Sequence, residues 1–404
     1  MENWKKDIIL FLGSQTISLF GSSLVQYAIL WYITLHTQSG VMMTIYIIFG
    51  FLPAFFLSPF AGVWADRFNR KMLIILSDSL IAISTLLLAI LFLMGYDHIW
   101  LLFAMSAVRA MGTGVQTPAV GAILPQLVPE DKLTKVNAFN GSMQALVSLV
   151  SPMVSGALMT MASIENIFFI DVITAAVAVF TLLVFLPIPV HAKALQKQTT
   201  SYFNDMRQGF TYIKNHPYVK RFFLFCTFFF FFVSPAAILT PLQVARSFGD
   251  EVWRLTAIEV FFSAGMVLGG VIMASWGGLK NKVHTMTLAF LTIGGCIFAL
   301  GVIPVFWIYL IFMGLTGLAM PFFNTPSTVL LQEKVEEDYL GRVFSVYGMI
   351  ASSMMPIGML LFGPLSDMVK IEWLLIVTGL LMFIQGFFLA GSKVLVEAGI
   401  KKDA

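Results

Sequence analysis

Gly62-Val63-Trp64-Ala65-Asp66-Arg67-Phe68-Asn69-Arg70-Lys71 is a compact run of charge set between two long apolar stretches. Its spacing is Gly-x-x-x-Asp-Arg-x-x-Arg-Lys. A charged run flanked in this way reads as a short loop at a membrane surface, with its basic side chains on the cytoplasmic side. Gly62 is expected to let two helices approach closely near that face. Asp66 is expected to accept hydrogen bonds at a helix start, where the positive end of the dipole favours an anion. Arg67, Arg70 and Lys71 can pair with carboxylates there.

The rest of the chain agrees with a membrane setting. Of its 404 residues, 58% are hydrophobic and 11% charged. A soluble domain carries about 25% charge, so this is an integral membrane protein. A helix needs ~20 apolar residues to cross a ~30 Å hydrocarbon core. Twelve stretches qualify, near 8–34, 41–64, 72–94, 99–121, 135–161, 165–187, 218–244, 252–276, 284–303, 305–326, 342–366 and 372–391. The first follows Lys5 and Lys6 as a signal peptide would, but it is too long and too polar for one and reads as an uncleaved span. The fold class expected is all-α, with twelve transmembrane helices in two pseudo-symmetric six-helix bundles.

The long polar stretch 188–217 separates those bundles, giving 1–187, a cytoplasmic central loop at 188–217, and 218–404 with a short cytoplasmic tail. Its middle, 201–214, suits a short amphipathic surface helix. With the N-terminus inside, twenty of the 24 basic residues fall on the cytoplasmic side. Arg246, Arg254 and Lys370 fall outside, and Arg109 lies within a span. That asymmetry puts both termini in the cytoplasm. The halves also echo each other: Thr117-Pro118 answers Thr325-Pro326, and Glu130-Asp131-Lys132-Leu133 answers Glu337-Asp338-Tyr339-Leu340. The loop Gly277-Gly278-Leu279-Lys280 takes the place of the 62–71 run in the second half but lacks its Asp-Arg.

Few residues carry charge inside the spans. Arg109 sits near the middle of segment 99–121, where a charge costs ~2.5–3.5 kcal/mol on insertion scales and needs a partner or a watery cavity. Glu259, among Ile258, Val260, Phe261 and Phe262, needs the same, with Arg254 as one possible partner. Asp78 is expected to bridge to Arg67 or Arg70. Asp171 is expected to bond to backbone or to Thr174. Gln15, Ser18, Ser22 and Gln26 form one polar stripe; Asn137, Asn140, Gln144, Ser148, Ser151 and Ser155 form another, and each should face protein or water. Gln26, Gln144 and Asn324 are the better cavity candidates. The phenylalanines from Phe222 to Phe232 cover every face of their helix, so most should meet lipid or core. Pro235 and Pro241 should kink it.

Several chemistries are excluded. Cys226 and Cys296 lie in apolar stretches and read as small buried hydrophobes rather than a disulfide or metal site. No basic patch with interleaved aromatics suggests nucleic acid. The run from Gly386 to Lys393 lacks the order of a phosphate-binding loop, which argues against ATP-driven transport by this chain alone. No Ser/His/Asp set, paired histidines or cysteine cluster suggests an enzyme, and no cofactor is implied.

The 62–71 run resembles the signature loop between helices 2 and 3 of the major facilitator superfamily. Phe51-Leu52-Pro53, Asp78, Thr117-Pro118, Leu127-Val128-Pro129-Glu130, Ser151-Pro152, Thr256-Ala257-Ile258-Glu259, Gln332-Glu333-Lys334 and Tyr339-Leu340-Gly341-Arg342 extend the resemblance to its macrolide-efflux (Mef-type) branch of drug:proton antiporters. Arg109-x-x-Gly112-x-Gly114 is similar to the second signature motif of facilitator antiporters, where the arginine is tied to proton coupling. One departure is Ser151-Pro152-Met153-Val154-Ser155-Gly156, where such antiporters often carry Gly-Pro-x-x-Gly-Gly.

The resemblance implies secondary active export of amphiphilic drugs, macrolides among them, in exchange for protons by alternating access. It implies proton coupling at Glu259 and Arg109, and substrate contact at Gln26, Gln144, Glu259 and Asn324. Gating would fall to Gly62, Asp66, Arg67, Arg70, Lys71, Asp78, Gly341 and Arg342, with Asp66 and Arg70 latching the cytoplasmic side near Gly341 and Arg342. The implied partners are an amphiphilic small molecule, protons and membrane lipid, with the chain a monomer in a bacterial cytoplasmic membrane; a partner ATPase stays open. Export of another amphiphile or a siderophore, uptake by symport on the same frame, and a membrane-embedded lipid-modifying enzyme are the alternatives.

Overall fold

A computed structural model describes residues 4–186 and 211–399, and every element among them is helical. The helices of the first half are α1 (Trp4–Thr37), α2 (Gly40–Arg67), α3 (Arg70–Leu93), α4 (Ile99–Leu127), α5 (Leu133–Met161) and α6 (Ile164–Phe185). The second half holds α7 (Pro217–Ile238), α8 (Thr240–Ser247), α9 (Val252–Trp276), α10 (Lys282–Val302), α11 (Phe306–Lys334), α12 (Glu337–Met368), α13 (Ile371–Gly391) and the short α14 (Lys393–Gly399). All twelve expected segments are helical. Among the described residues, eleven spans are long and apolar enough to cross a membrane, counting Pro217–Ser247 as one. The remaining one, α4, has the length but is diluted by Arg109, Thr113, Gln116 and Thr117.

The described residues divide into two compact units. One holds 4–36 and 45–186; the other holds 37–44 and 211–399. The central stretch 187–210, with most of the expected surface helix, and the tail beyond Gly399 lie outside the described residues. Residues 211–215, at the end of that expected helix, are helical.

Local chemistry sets the helix ends. Asn69 caps α3, its side chain accepting from the Met72 amide. Asn281 does the same for α10 through the Val283 amide at 2.9 Å. Pro217 opens α7, where its missing N–H costs nothing. Gly277 closes α9 at φ 73°, a left-handed conformation that glycine adopts without a Cβ clash. The proline-rich seventh span breaks at Leu239: its amide still reaches the Pro235 carbonyl, and Pro241 then starts the next helix. The span is therefore interrupted between the two prolines expected to kink it.

Two expectations for the 62–71 run are corrected. Helix α2 continues to Arg67, so Asp66 lies in the last turn of α2, and Asn69 takes the capping role assigned to it. The Asp66 side chain lies outside the described set. A Cβ on Gly62 would meet nothing within 4 Å among the described residues, so the close helix approach expected there is not seen among them. Close approach occurs instead between α9 and α11, where a Cβ on Gly265 or Gly269 would run into the backbone of Gly314 or Leu318.

Aromatic and branched side chains fill each unit. In the first, Phe92 and Phe168 meet edge to face at 5.7 Å beside buried Leu24, Ile29 and Leu88. In the second, Phe229 stacks on Phe323 at 4.0 Å and meets Phe290 at 5.0 Å. The phenylalanine run is split as expected: Phe222, Phe223 and Phe229 are buried, whereas Phe228 is exposed. Cys226 and Cys296 are both buried and free.

Candidate functional site

In the first unit the polar stripe of α1 meets the polar positions of α3, α4 and α6. Arg109 on α4 forms an ion pair with Asp171 on α6, Nη1 to Oδ2 at 2.5 Å. Asp171 is fully buried. Its Oδ2 also accepts from Thr85 Oγ1 at 3.0 Å, and its Oδ1 accepts from Ser22 Oγ at 3.0 Å. Arg109 Nη2 donates to the Ser22 carbonyl at 3.1 Å. One carboxylate thus joins α1, α3, α4 and α6. The expected bonding of Asp171 to Thr174 exists only through its backbone carbonyl; its carboxylate is the counter-ion that Arg109 needed.

Further along α3, Asp78 is 1% exposed. It does not bridge to Arg67 or Arg70 among the described residues. Its Oδ1 accepts instead from Gln116 Nε2 at 2.5 Å and Ser18 Oγ at 3.4 Å. The reason is position: Arg70 starts α3, two turns before Asp78, and binds the carbonyls of Ala65 and Ala122 at 2.7 Å. Lys71 donates to the Leu186 carbonyl at 2.7 Å, and Arg67 is exposed. The basic side chains of the 62–71 run therefore tie the ends of α2, α4 and α6 to the start of α3.

A cavity of about 240 Å³ opens beside these groups, lined among others by Ser18, Ser22, Gln26, Arg109, Thr113 and Gln116. Gln26 is on its wall. The second polar stripe divides: Ser151 and Ser155 are buried, with Ser155 donating to the Leu24 carbonyl at 3.0 Å, while Asn137, Gln144 and Ser148 are exposed.

In the second unit Glu259 lines a cavity of about 80 Å³ with Val233, Thr240, Phe262, Met313 and Thr316. That space holds a few waters but not a drug-sized molecule, whose pockets run to about 300–1,000 Å³. Glu259 has no hydrogen-bond or ionic partner among the described residues. Arg254 pairs with Glu251 instead, Nε to Oε2 at 2.7 Å, and its hydrogen bond holds the Glu251 carboxyl below its ordinary value. Asn324 is exposed on α11. Gly341 lies in the second turn of α12, where a Cβ would meet nothing within 4 Å among the described residues, and the Arg342 guanidinium sits 5.5 Å from the Tyr339 ring centre.

Sequence reasoning missed several participants. Gln116 follows Arg109 and Thr113 on one face of α4, and Thr85 follows Asp78 by two turns on α3; both spacings were readable as stripes. A second group, at the far end of the second unit, had no such signal. There Asp367 accepts from the amides of Gly40 and Val41 at 2.8 and 3.0 Å, from Ser39 Oγ at 2.7 Å and from Arg246 Nη2 at 2.7 Å. Nearby, Tyr309 donates to Gln243 Oε1 at 2.8 Å.

A family model described as Major Facilitator Superfamily matches residues 11–359. The chain is 30% identical over 382 residues to macrolide efflux protein A of Streptococcus pyogenes, covering 94% of each chain. It is 22% identical over 366 residues to the staphyloferrin A transporter of Staphylococcus aureus, covering 88% of this chain and 89% of that one. Among solved structures, a POT family transporter in complex with a thioalcohol-conjugated peptide superposes with a TM-score of 0.72 at 14% identity, over 95% of this chain and 96% of the other. At that identity the likeness speaks for the fold alone. With a family model spanning most of the chain and a multi-pass helical fold to match, this protein belongs to the Major Facilitator Superfamily and is a secondary transporter.

Proposed function

We propose that this chain exports amphiphilic drugs, macrolides among them, in exchange for protons, from a bacterial cytoplasm with both termini inside. The observation that carries the substrate class is the 30% identity to macrolide efflux protein A over 94% of both chains. Proton coupling is supported by Glu259, a carboxylate inside a span, at a cavity, with no cationic partner among the described residues. Such a group is stable there only when protonated, hydrated or bound to a cation. Loss of its proton to the cytoplasm and regain from outside would tie proton entry to drug exit during alternating access. The small size of its cavity suits a proton site better than a drug site. The membrane potential contributes roughly 2.3 kcal/mol per charge per 100 mV, enough to sustain about a fifty-fold gradient of a neutral solute.

The test is accumulation of labelled erythromycin in drug-sensitive bacteria carrying this chain or its Glu259→Gln variant. The reading expects lowered accumulation with the intact chain only. If neither lowers it despite confirmed membrane expression, the macrolide assignment fails. Export of a siderophore is the second reading, favoured by the similarity to the staphyloferrin A transporter. It predicts loss of labelled siderophore from cells that retain erythromycin.

A further inference from the structure

Among the described residues, Asp78 is the other intramembrane carboxylate without a cation. Arg109, the arginine near the middle of a span among the described residues, is bound to Asp171. Asp78 Oδ1 takes hydrogen bonds from Gln116 and Ser18, but Oδ2 is buried and has no partner. Gln15 approaches the same carboxyl, and its Nε2 is likewise buried and unpaired. A buried acceptor and a buried donor, each left open side by side, cost about 1–3 kcal/mol apiece unless one state of the group uses them.

The side amide of Gln15 can serve either state. With Asp78 ionised, a small rotation lets Gln15 Nε2 donate to Oδ2. With Asp78 neutral, Oδ2 carries a proton, and an amide turned end for end offers Oε1 to accept it. In the ionised state Gln116 donates to both Asp78 Oδ1 and Gln15 Oε1, and turning the Gln15 amide gives up the second of these contacts. Ser18 and Gln116 also line the 240 Å³ cavity, so water can reach the edge of the cluster.

We propose that Asp78, with Gln15, Ser18 and Gln116, is a second proton-binding site of this transporter, separate from Glu259 and lying in the other unit. A hydronium ion in the cavity gives its proton to Oδ2, forming the O–H bond and leaving water; release is the reverse. The other charged groups on the packed helices are Asp171 and Glu165 on α6, Arg109 on α4, and Lys5, Lys6 and Asp7 at the start of α1. Asp171 is the one whose charge bears on Asp78, and Arg109 already balances it. This site deepens the proton-coupled reading, yet its test does not depend on transport.

Infrared spectroscopy of the full chain in lipid vesicles, recorded through a pH titration, reads the carboxylic-acid C=O stretch directly. The expected result is a titrating band that disappears in Asp78→Asn and persists in Glu259→Gln. Gln15→Leu should keep the band and shift its midpoint, which preserves the test where Asp78→Asn fails to fold. An Asp78→Asn spectrum identical to the parent would overturn the proposal. So would a band that Gln15→Leu leaves in place at every pH, because Asp78 would then be a permanently neutral structural acid. A titrating Asp78 in a chain that exports no drug would leave this site standing and sink only the function proposed above.

Discussion

Arg109 and Asp171 are bound side chain to side chain across α4 and α6, at 2.5 Å, with the carboxylate fully buried. Thr85 and Ser22 fill the remaining acceptor sites of Asp171, and the Ser22 carbonyl takes a second guanidinium N–H. The carboxylate is therefore buried with both oxygens hydrogen-bonded, while Arg109 keeps an edge on the cavity. That completeness is what lets a buried ion pair persist. It also means the arginine's charge is already neutralised, which leaves Asp78 and Glu259 as the span carboxylates without a counter-ion among the described residues.

Removing one partner of this pair should be costly. Asp171→Asn strands the Arg109 charge, and breaking a buried pair costs about 3–5 kcal/mol. Joining Asp171→Asn to Arg109→Gln should recover more than half of that loss. Thermal unfolding of the purified variants in detergent measures both. An Asp171→Asn protein that melts with the parent would deny the pair a structural role.

Glycines in similar sequence settings should differ sharply in tolerance. Gly269→Val places side-chain atoms against the Leu318 backbone, and overpacking of this kind costs about 1–3 kcal/mol. Gly62→Ala meets nothing within 4 Å among the described residues and should leave the unfolding temperature unchanged. Equal losses in the two variants would mean that Gly62 is packed after all.

The positions of the spans were legible because length and apolar content decide them. The ends were not. Helix α2 runs through Asp66 to Arg67; Phe68 and Asn69 alone turn the chain, and the Asn69 side chain accepts from the Met72 amide to start α3. The need of Arg109 for a partner was legible from cost alone, and so was the polar face of α1. That the partner is Asp171 was not, because the pairing joins residues 62 apart through helix packing that no local pattern encodes. Asp78 was assigned to the wrong arginines for the same reason: nearness along the chain stood in for nearness in space.

Asp367 should matter to the second unit beyond its pairing with Arg246. It accepts from two amides at the start of α2 and from Ser39, as an N-terminal cap would. Its side chain is 26% exposed, so the ion pair itself is partly screened. Asp367→Ala should cost about 1–3 kcal/mol by leaving those donors unmatched. Asp367→Asn keeps one acceptor oxygen and should lose less. Unfolding temperatures in low and high salt separate the two contributions: a loss that vanishes in high salt would show that only charge was at stake.

Glu259→Gln separates function from stability. The carboxylate has no cation to lose, so a neutral amide of the same shape should fold at least as well as the parent. Proton exchange needs the carboxylate, so drug-driven proton movement in vesicles should fall to the level of empty vesicles. Arg254→Ala is the matching control on the same helix. It frees Glu251, whose carboxyl the Arg254 hydrogen bond holds below its ordinary value, and lets it drift back up. A depressed carboxyl favours the folded state above its unfolded value, and that contribution fades as pH falls through its folded value. The part of the Arg254→Ala effect that comes from Glu251 should accordingly be small and vanish in acid, whereas the loss of its contacts with the Trp253 and Phe306 rings should persist at every pH. Exchange should survive in Arg254→Ala and fail in Glu259→Gln; the opposite pattern would move proton coupling from Glu259 to the surface pair.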